Sequence, residues 1–155
     1  MDLKIKKLSP DAVIPAAATA GAAGLDLCAC IDRPLRLTSI LGKSGNADTG
    51  ELIPTGIAVE IPDGYVGLVF ARSGLAIRQG VALSNGVGVI DSDYRGEIKV
   101  GLLNHSNQIR EICPGDRIAQ LVIVPVCRVT PVVVSELQDT ARGAGGFGST
   151  GMGAR

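Results

Sequence analysis

The sequence predicts an all-β fold: a single-domain, jelly-roll-like β-barrel with one short helix and a flexible, Gly-rich C-terminal arm. Apolar residues occur in short runs separated by Gly, Pro, Asn and Asp, and no long segment has a helical period. Hydrophobic residues make up 46% of the 155 residues and charged residues 19%, which is typical of one folded domain. Aromatic residues are only 3%, so the core must consist of Val, Ile, Leu and Ala, which favours strands.

Each apolar run between turn signals predicts one strand. The first is an opening strand with Leu3 and Ile5 on one face, and the others are predicted at 56–61, 65–70, 81–84, 87–90, 97–103 and 118–126. A single helix is predicted at 73–80, with Ser73 as the N-cap and Gly80 as the stop. The polar, Gly-rich stretch 38–50 predicts a surface loop.

The domain is expected to end near residue 138. Residues 139–155 are rich in Gly and carry too little apolar surface to fold alone, which predicts a flexible arm. Because 15 basic residues balance 15 acidic ones, a nucleic-acid partner is not expected. No apolar run reaches the roughly 20 residues that span a bilayer, so no membrane contact is expected.

The cysteines predict no metal site. None belongs to a C-x-x-C pair and His105 is the only histidine, which argues against zinc. We expect free thiols that pack as small buried hydrophobes in a reducing cytoplasm, since the N-terminus does not resemble a signal peptide. The four are Cys28, Cys30, Cys113 and Cys127.

Chemistry-bearing residues gather in two places within the domain. Asn85-Gly86 predicts a hairpin, and two carboxylates, a Tyr and an Arg follow within 90–96, although by itself this is more often a solvated charged turn. The segment 71–76 places Arg72, Ser73 and Gly74 where a strand meets a helix. These residues suit either an anion site or a plain helix cap with a surface Arg.

The Gly-rich arm is a third candidate. Its backbone amides can wrap phosphate oxygens, with Arg142 adding charge and Phe147 a stacking surface. It contains neither a P-loop nor a dinucleotide-binding Gly pattern. A disordered terminus is the other interpretation, which a lone Phe among glycines fits poorly.

Five segments together resemble, in order, the five motifs of the trimeric dUTP pyrophosphatase (dUTPase) family. They are AGLDLCA (23–29), ARSGLA (71–76), GVGVIDSDYRGEI (86–98), GDRIAQLVI (115–123) and RGAGGFGSTG (142–151). The resemblance spans nearly the whole chain. It implies an enzyme that hydrolyses dUTP to dUMP and pyrophosphate, in a homotrimer whose sites each draw on three subunits.

The resemblance also implies roles for individual residues. Asp91 would be the general base that activates a water for attack on the α-phosphorus. Mg²⁺ would bind mainly to the triphosphate without a direct protein ligand. Asp26 would either contact a metal-bound water or make a structural hydrogen bond, and the two stay open.

The substrate contacts implied by the resemblance fall into three groups. The turn would hold deoxyuridine through Asn85, Gly88, Val89, Ile90, Tyr94 and Lys99, with the Tyr94 ring excluding a ribose 2′-OH. The phosphate chain would bind Arg72, Ser73, Gly74 and Gln120. The arm would close last, through Arg142, Phe147, Gly148, Ser149 and Thr150.

Two alternatives remain open at this point. A dCTP deaminase shares the fold, but such enzymes carry a catalytic Glu five residues after the last Gly of the third motif, where this chain has Gly101. They also tend to R-S-S rather than the R-S-G of 72–74. The second alternative is a non-catalytic trimeric jelly-roll binding or scaffold protein, against which an intact Asp91 and arm argue.

Overall fold

The computed structural model describes residues 1–40 and 50–146. Within these ranges the chain forms strands and one short helix, α1 Ser73–Gln79. The strands are β1 Lys4–Lys7, β2 Ala16–Ala17, β3 Leu25–Cys28, β4 Leu35–Leu37, β5 Glu51–Pro54, β6 Ile57–Glu60, β7 Tyr65–Ala71, β8 Val81–Leu83, β9 Gly88–Ile90, β10 Lys99–Asn104, β11 Arg110–Ile112 and β12 Arg117–Pro125.

The strands pair into four antiparallel sheets. The largest has the order β2-β3-β12-β7-β9, and a second has the order β5-β10-β8. Two further pairs, β1-β6 and β11-β4, complete the set within the described ranges. The prediction of a mostly β, single-domain, jelly-roll-like fold with one short helix is confirmed, although these ladders do not close into a continuous barrel.

The two faces of the five-stranded sheet differ in character. One carries core residues such as Leu27, Leu121 and Val69, which are 0–4% exposed. Burying a side chain of this kind contributes about 1.5–3 kcal/mol. On the opposite face, Asp26, Gln120 and Phe70 lie in register across β3, β12 and β7. This half-buried outer row brings polar side chains from distant parts of the sequence together.

Helix α1 starts differently from the prediction. The carbonyl of Arg72 accepts the N–H groups of Leu75 and Ala76 at 3.0 and 2.9 Å, so Arg72, in an extended conformation, is the N-cap. No side chain caps this end, and the prediction of Ser73 as N-cap is wrong because Ser73 is already helical. The predicted stop is confirmed, since Gly80 adopts φ 70° and donates to the carbonyls of Ala76 and Leu75.

The prediction that the strands on either side of Asn85-Gly86 pair as a hairpin is also wrong. The turn itself forms, with Gly86 at φ 71°, but β8 pairs with β10 and β9 pairs with β7. The turn is therefore a corner that carries the chain from one sheet into another. The reason is that β9 pairs with the edge of the five-stranded sheet instead, where Ile90 packs against the core.

The remaining differences are local. The short strands β2, β3, β4, β5 and β11 were not predicted, because their runs are brief and interrupted by polar residues. All four cysteines are free and Cys28 is buried as expected, but Cys30 and Cys113 are half-buried and Cys127 is exposed, so the expectation of buried thiols is wrong for these three. No helix among residues 1–40 and 50–146 is long and apolar enough to cross a membrane. Most of the predicted 38–50 loop, residues 41–49, lies outside the described residues.

Candidate active site

A cavity of about 490 Å³ opens where the corner after β8 and the turn after β9 face strand β10. We call it the turn cavity. It contains the turn residues that the family resemblance implied for nucleoside binding, together with Asp91, the implied general base. Its lining includes Asn85, Gly88, Val89, Ile90, Asp91, Tyr94, Glu97, Lys99 and Gly101.

The turn at the mouth of this cavity is held by its own backbone. The N–H of Tyr94 donates to the carbonyl of Asp91 at 3.2 Å. Arg95 Nη1 donates to the carbonyls of Ser92 and Tyr94 at 2.7 and 3.0 Å, so this guanidinium braces the turn. The Asp91 carboxylate makes no hydrogen bond or ion pair within the described chain. It is exposed and available to a water or a substrate.

The neighbouring acid, Asp93, points elsewhere. It does not line the turn cavity, and it contributes to a wider groove of about 890 Å³ on the other side of the turn. Asp91 lines both spaces. Of the two carboxylates in this turn, Asp91 is therefore the one placed beside the predicted nucleoside residues.

Glu97 is a site residue that sequence reasoning missed. Its Oε1 accepts the backbone N–H of Gly56 at 2.8 Å, and its Oε2 lies 3.7 Å from Lys99 Nζ. Its carbonyl accepts the Tyr94 hydroxyl at 3.0 Å. Glu97 thus connects the end of the turn to the corner between β5 and β6. Its position two residues before Lys99, on the same face of an extended segment, is the sequence feature that could have identified it as a site residue.

A second cluster lies on the outer row of the five-stranded sheet. Arg72 Nε donates to Asp26 Oδ1 at 2.9 Å, and Arg117 Nη1 donates to Asp26 Oδ2 at 3.1 Å. Arg72 Nη1 also donates to the carbonyl of Arg117 at 3.3 Å. Since the Asp26 side chain is only 14% exposed and both its oxygens bind guanidinium groups, the structure supports the structural role for Asp26.

The cavity beside this cluster has a volume of about 400 Å³, and we call it the arginine cavity. It is lined by Arg72, Gly74, Leu75, Arg78, Gln79, Glu111, Ile112, Asp116, Arg117 and Ile118. A Cβ at Gly74 would meet nothing within 4 Å, so the backbone here is open to a ligand. Ser73 is exposed beside it. Sequence reasoning did not identify Arg117 or Arg78.

Gln120 lies next to Asp26 but outside both cavities. Its Nε2 donates to the carbonyl of Ala71 at 3.1 Å, just before Arg72. Its Oε1 would be 3.0 Å from a Cβ at Gly24, so Gly24 leaves room for this amide. The arm residue Arg142 bonds its own turn, through Nε to the carbonyl of Gly145 at 2.8 Å, and lines neither cavity. The predicted arm residues Phe147, Gly148, Ser149 and Thr150 lie outside the described residues.

The predicted site is therefore in two parts within one chain. No residue lines both the turn cavity and the arginine cavity. In the ranges 1–40 and 50–146, no group of three His, Cys, Asp or Glu side chains could hold a metal ion.

Burial, reinforced by the charge of Asp26, raises the pKa of the Cys28 thiol beneath the arginine cluster.

Comparisons with known proteins identify the family of this chain. The sequence model of the dUTPase family matches residues 11–151. A deoxyuridine 5'-triphosphate nucleotidohydrolase of Nautilia profundicola is 52% identical over 151 residues, which cover 97% of this chain and 99% of that protein. One of Rhizobium rhizogenes is 49% identical over 139 residues, covering 90% and 85%.

The solved structures that this chain resembles are dUTPases as well. A variant dUTPase of Staphylococcus bacteriophage 80alpha, determined with dUpNHpp, has a TM-score of 0.83 and 28% identity, covering 97% of this chain and 99% of that one. A variant dUTPase from phage phi11 of S. aureus, described with a structural Mg(II) ion, has a TM-score of 0.71 and 27% identity, covering 88% and 98%. This chain therefore belongs to the dUTPase family and is an enzyme of that family's reaction, the hydrolysis of dUTP to dUMP and pyrophosphate.

Proposed function

We propose that the chain hydrolyses dUTP by attack of water on the α-phosphorus, with Asp91 as the general base. The observation that carries this proposal is the unpaired Asp91 carboxylate at the mouth of the turn cavity, next to the nucleoside residues. A positioned carboxylate of this kind supplies about 10²–10⁴-fold in rate. The rest of the acceleration would come from alignment of the phosphates and neutralisation of their charge.

Base recognition is proposed for the corner and strand β9. Asn85, Gly88, Val89 and Ile90 line one wall of the turn cavity, where backbone groups and one amide can pair with uracil. A cytosine amino group would meet a donor instead of an acceptor, and a buried mismatch of that kind discriminates strongly. We also propose that this narrow corner leaves no room for a thymine methyl; a Cβ at Gly88 would lie 3.1 Å from Val69 Cβ, so the wall itself packs closely against β7.

Sugar recognition is proposed for Tyr94, with Lys99 as a further substrate contact. The Tyr94 ring lies at the cavity, 44% exposed, with its hydroxyl held by the carbonyl of Glu97. A ring fixed in this way can pack on deoxyribose and leave no room for a 2′-OH. Lys99 is positioned beside it by the carboxylate of Glu97.

Phosphate binding is proposed for Arg72, Ser73, Gly74 and Gln120. The first three follow β7 directly; Arg72 and Gly74 line the arginine cavity and Ser73 is exposed between them, where N–H groups and a guanidinium suit an anion. We propose that this half of each site comes from a second subunit of a homotrimer. The separation of the two cavities within one chain supports this, as does the half-buried outer face of the five-stranded sheet.

The C-terminal arm is proposed to close the site from a third subunit. Phe147 would stack on uracil, while Arg142, Gly148, Ser149 and Thr150 would bind the γ-phosphate. The described start of this arm and the stretch that precedes it support the proposal, because residues 126–144 are exposed and form no strand or helix. A segment of that kind is suited to ordering on a bound ligand.

Mg²⁺ is proposed to bind the triphosphate and neutralise part of its charge. The donor set fits this placement better than a protein-held ion, because the described residues offer no three-ligand cluster and both Asp26 oxygens are engaged. Mg²⁺ binds few protein ligands and keeps waters in such sites. A cytoplasmic location is also proposed, supported by the four free thiols.

The structure also bears on the deaminase alternative. A Cβ at Gly101 would collide with the hydroxyl oxygen of Ser84. The backbone N–H of Ser84 donates to the carbonyl of Gly101 at 2.9 Å, so the two strands cannot easily separate there. Position 101 lines the turn cavity and carries no acidic side chain, which favours hydrolysis of the triphosphate over deamination.

The test is a pyrophosphate-release assay with dUTP, dCTP, dTTP and UTP. We expect turnover of dUTP alone, and a loss of at least about a hundred-fold in Asp91→Asn. Asp93→Asn is the matched control, since it removes a carboxylate from the same turn but outside the turn cavity. Equal losses in both variants, or none in Asp91→Asn, would refute Asp91 as the base.

A further inference from the structure

We propose that Arg117 is a second phosphate-binding cation of the site, acting on the phosphates beyond the α-phosphate, and that Asp26 positions it together with Arg72. This inference rests on the proposed phosphate-binding role of Arg72 and extends it to a residue with no role assigned so far. Its starting point is the shared carboxylate: one oxygen of Asp26 accepts from Arg72 and the other from Arg117.

The geometry leaves both guanidinium groups partly available. Arg72 uses Nε and one N–H of Nη1, and Arg117 uses one N–H of Nη1. Their remaining N–H groups have no partner among residues 1–40 and 50–146. The side chains are 27% and 53% exposed, and both line the arginine cavity with Gly74. Two planar donor groups therefore border the same space beside an open backbone.

The pair of guanidinium groups favours an anion at this point. Arg72 and Arg117 share the single carboxylate of Asp26, so one positive charge is left over within this cluster. The rest of the cavity lining adds one further cation, Arg78, and two acids, Glu111 and Asp116, so the preference comes from the two adjacent guanidinium groups and not from a net positive charge of the cavity. Arg groups bind phosphate oxygens with two parallel hydrogen bonds, and two held side by side suit neighbouring phosphates of one chain.

The phosphates that Arg117 contacts follow from the division of the site into the turn cavity and the arginine cavity. Asp91 acts at the α-phosphorus and lies in the turn cavity, whereas Arg117 lies in the arginine cavity, and no residue is common to both. Arg117 is therefore assigned to the far phosphates, which dUMP lacks. Asp26 is a positioning residue, because it reaches the substrate only through the two arginines.

The experiment measures the affinities of dUMP and the imido analogue dUpNHpp by calorimetry, with Mg²⁺ present, for the full chain and its variants. We expect Arg117→Gln to weaken dUpNHpp binding at least about tenfold, as loss of a charge-assisted hydrogen bond predicts, and to change dUMP binding less than about twofold. Arg36→Gln is the charge-matched control, since Arg36 lies on β4 and lines neither cavity. It should leave both affinities unchanged.

Two further variants make the outcome decisive. Arg117→Lys keeps the charge and should recover part of the dUpNHpp affinity, which a merely structural role would not produce for one ligand alone. Unchanged dUpNHpp binding in Arg117→Gln, or equal weakening of both ligands, would overturn the inference. Arg72→Gln in the same assay separates the two levels of the proposal: if it weakens dUpNHpp while Arg117→Gln does not, only the role of Arg117 fails, and if neither does, the phosphate site itself is misplaced.

Discussion

The hydroxyl of Tyr94 donates to the carbonyl of Glu97 at 3.0 Å, and the phenol end of its ring occupies the space that a side chain at Gly96 would need. A Cβ at position 96 would collide with the phenol oxygen and its ring carbon. The side chain that is proposed to select deoxyribose is thus held back against its own turn. Its orientation depends on the absence of a neighbouring side chain as well as on a hydrogen bond.

Gly96→Ala should displace the Tyr94 ring and impair dUTP hydrolysis. Because the added methyl group meets the phenol itself, the ring must move or the turn must shift, and we expect kcat/KM for dUTP to fall about tenfold or more. Gly21→Ala is the control, since a Cβ there meets nothing within 4 Å. Steady-state kinetics of both variants test this, and a Gly96→Ala enzyme with unaltered kcat/KM would contradict it.

Tyr94→Ala should allow UTP to be hydrolysed, because the ring that occupies the place of the 2′-OH is gone. Tyr94→Phe removes only the hydrogen bond to Glu97 and should keep most of the discrimination against ribose. The ratio of kcat/KM for dUTP and UTP measures the effect in each variant. An unchanged ratio in Tyr94→Ala would remove Tyr94 from sugar selection.

Truncation after Asp139 should leave a stable, assembled protein with little activity. Residues 140–144 are exposed, and Arg142 contacts only its own turn, so their loss takes little from the core. The melting temperature and the molecular mass in solution should match those of the full chain, while dUTP turnover should fall sharply. Full activity of the shortened protein would show that the arm takes no part in catalysis.

The four thiols should react with iodoacetamide at very different rates. Burial and the nearby Asp26 charge raise the pKa of Cys28, so less of its reactive thiolate exists at a given pH. Cys127 is exposed and should react first, with a separation of about tenfold or more. Peptide mass spectrometry at pH 8 gives the order, and early labelling of Cys28 would contradict the described packing.

The sequence predicted the parts of this molecule that local chemistry determines. Gly80 ends α1 because a left-handed residue was needed there, and Asn85-Gly86 forms a turn for the same reason. Asp91 and Tyr94 reach one cavity because they are close neighbours along the chain. The resemblance to a known family then attached a chemical role to each of them.

Long-range pairing could not be predicted in this way. Arg117 meets Asp26 across 91 residues, and nothing in either local segment identifies the other as its partner. Glu97 bonds Gly56 across 41 residues for the same reason. The corner at Asn85-Gly86 was mistaken for a hairpin because turn chemistry does not state which sheet receives the next strand.

The division of the site between two separate cavities has a genetic consequence. If each active site takes Asp91 from one subunit and Arg72 from another, the Asp91→Asn protein and the Arg72→Gln protein are each inactive. The first lacks the general base at every site, and the second lacks the phosphate-binding cation at every site. When both kinds are refolded together, some mixed assemblies pair an intact base from one chain with an intact cation from the other. Two inactive variants should therefore recover part of the dUTP turnover when they are refolded together, and two such alleles expressed in one cell should partly complement each other.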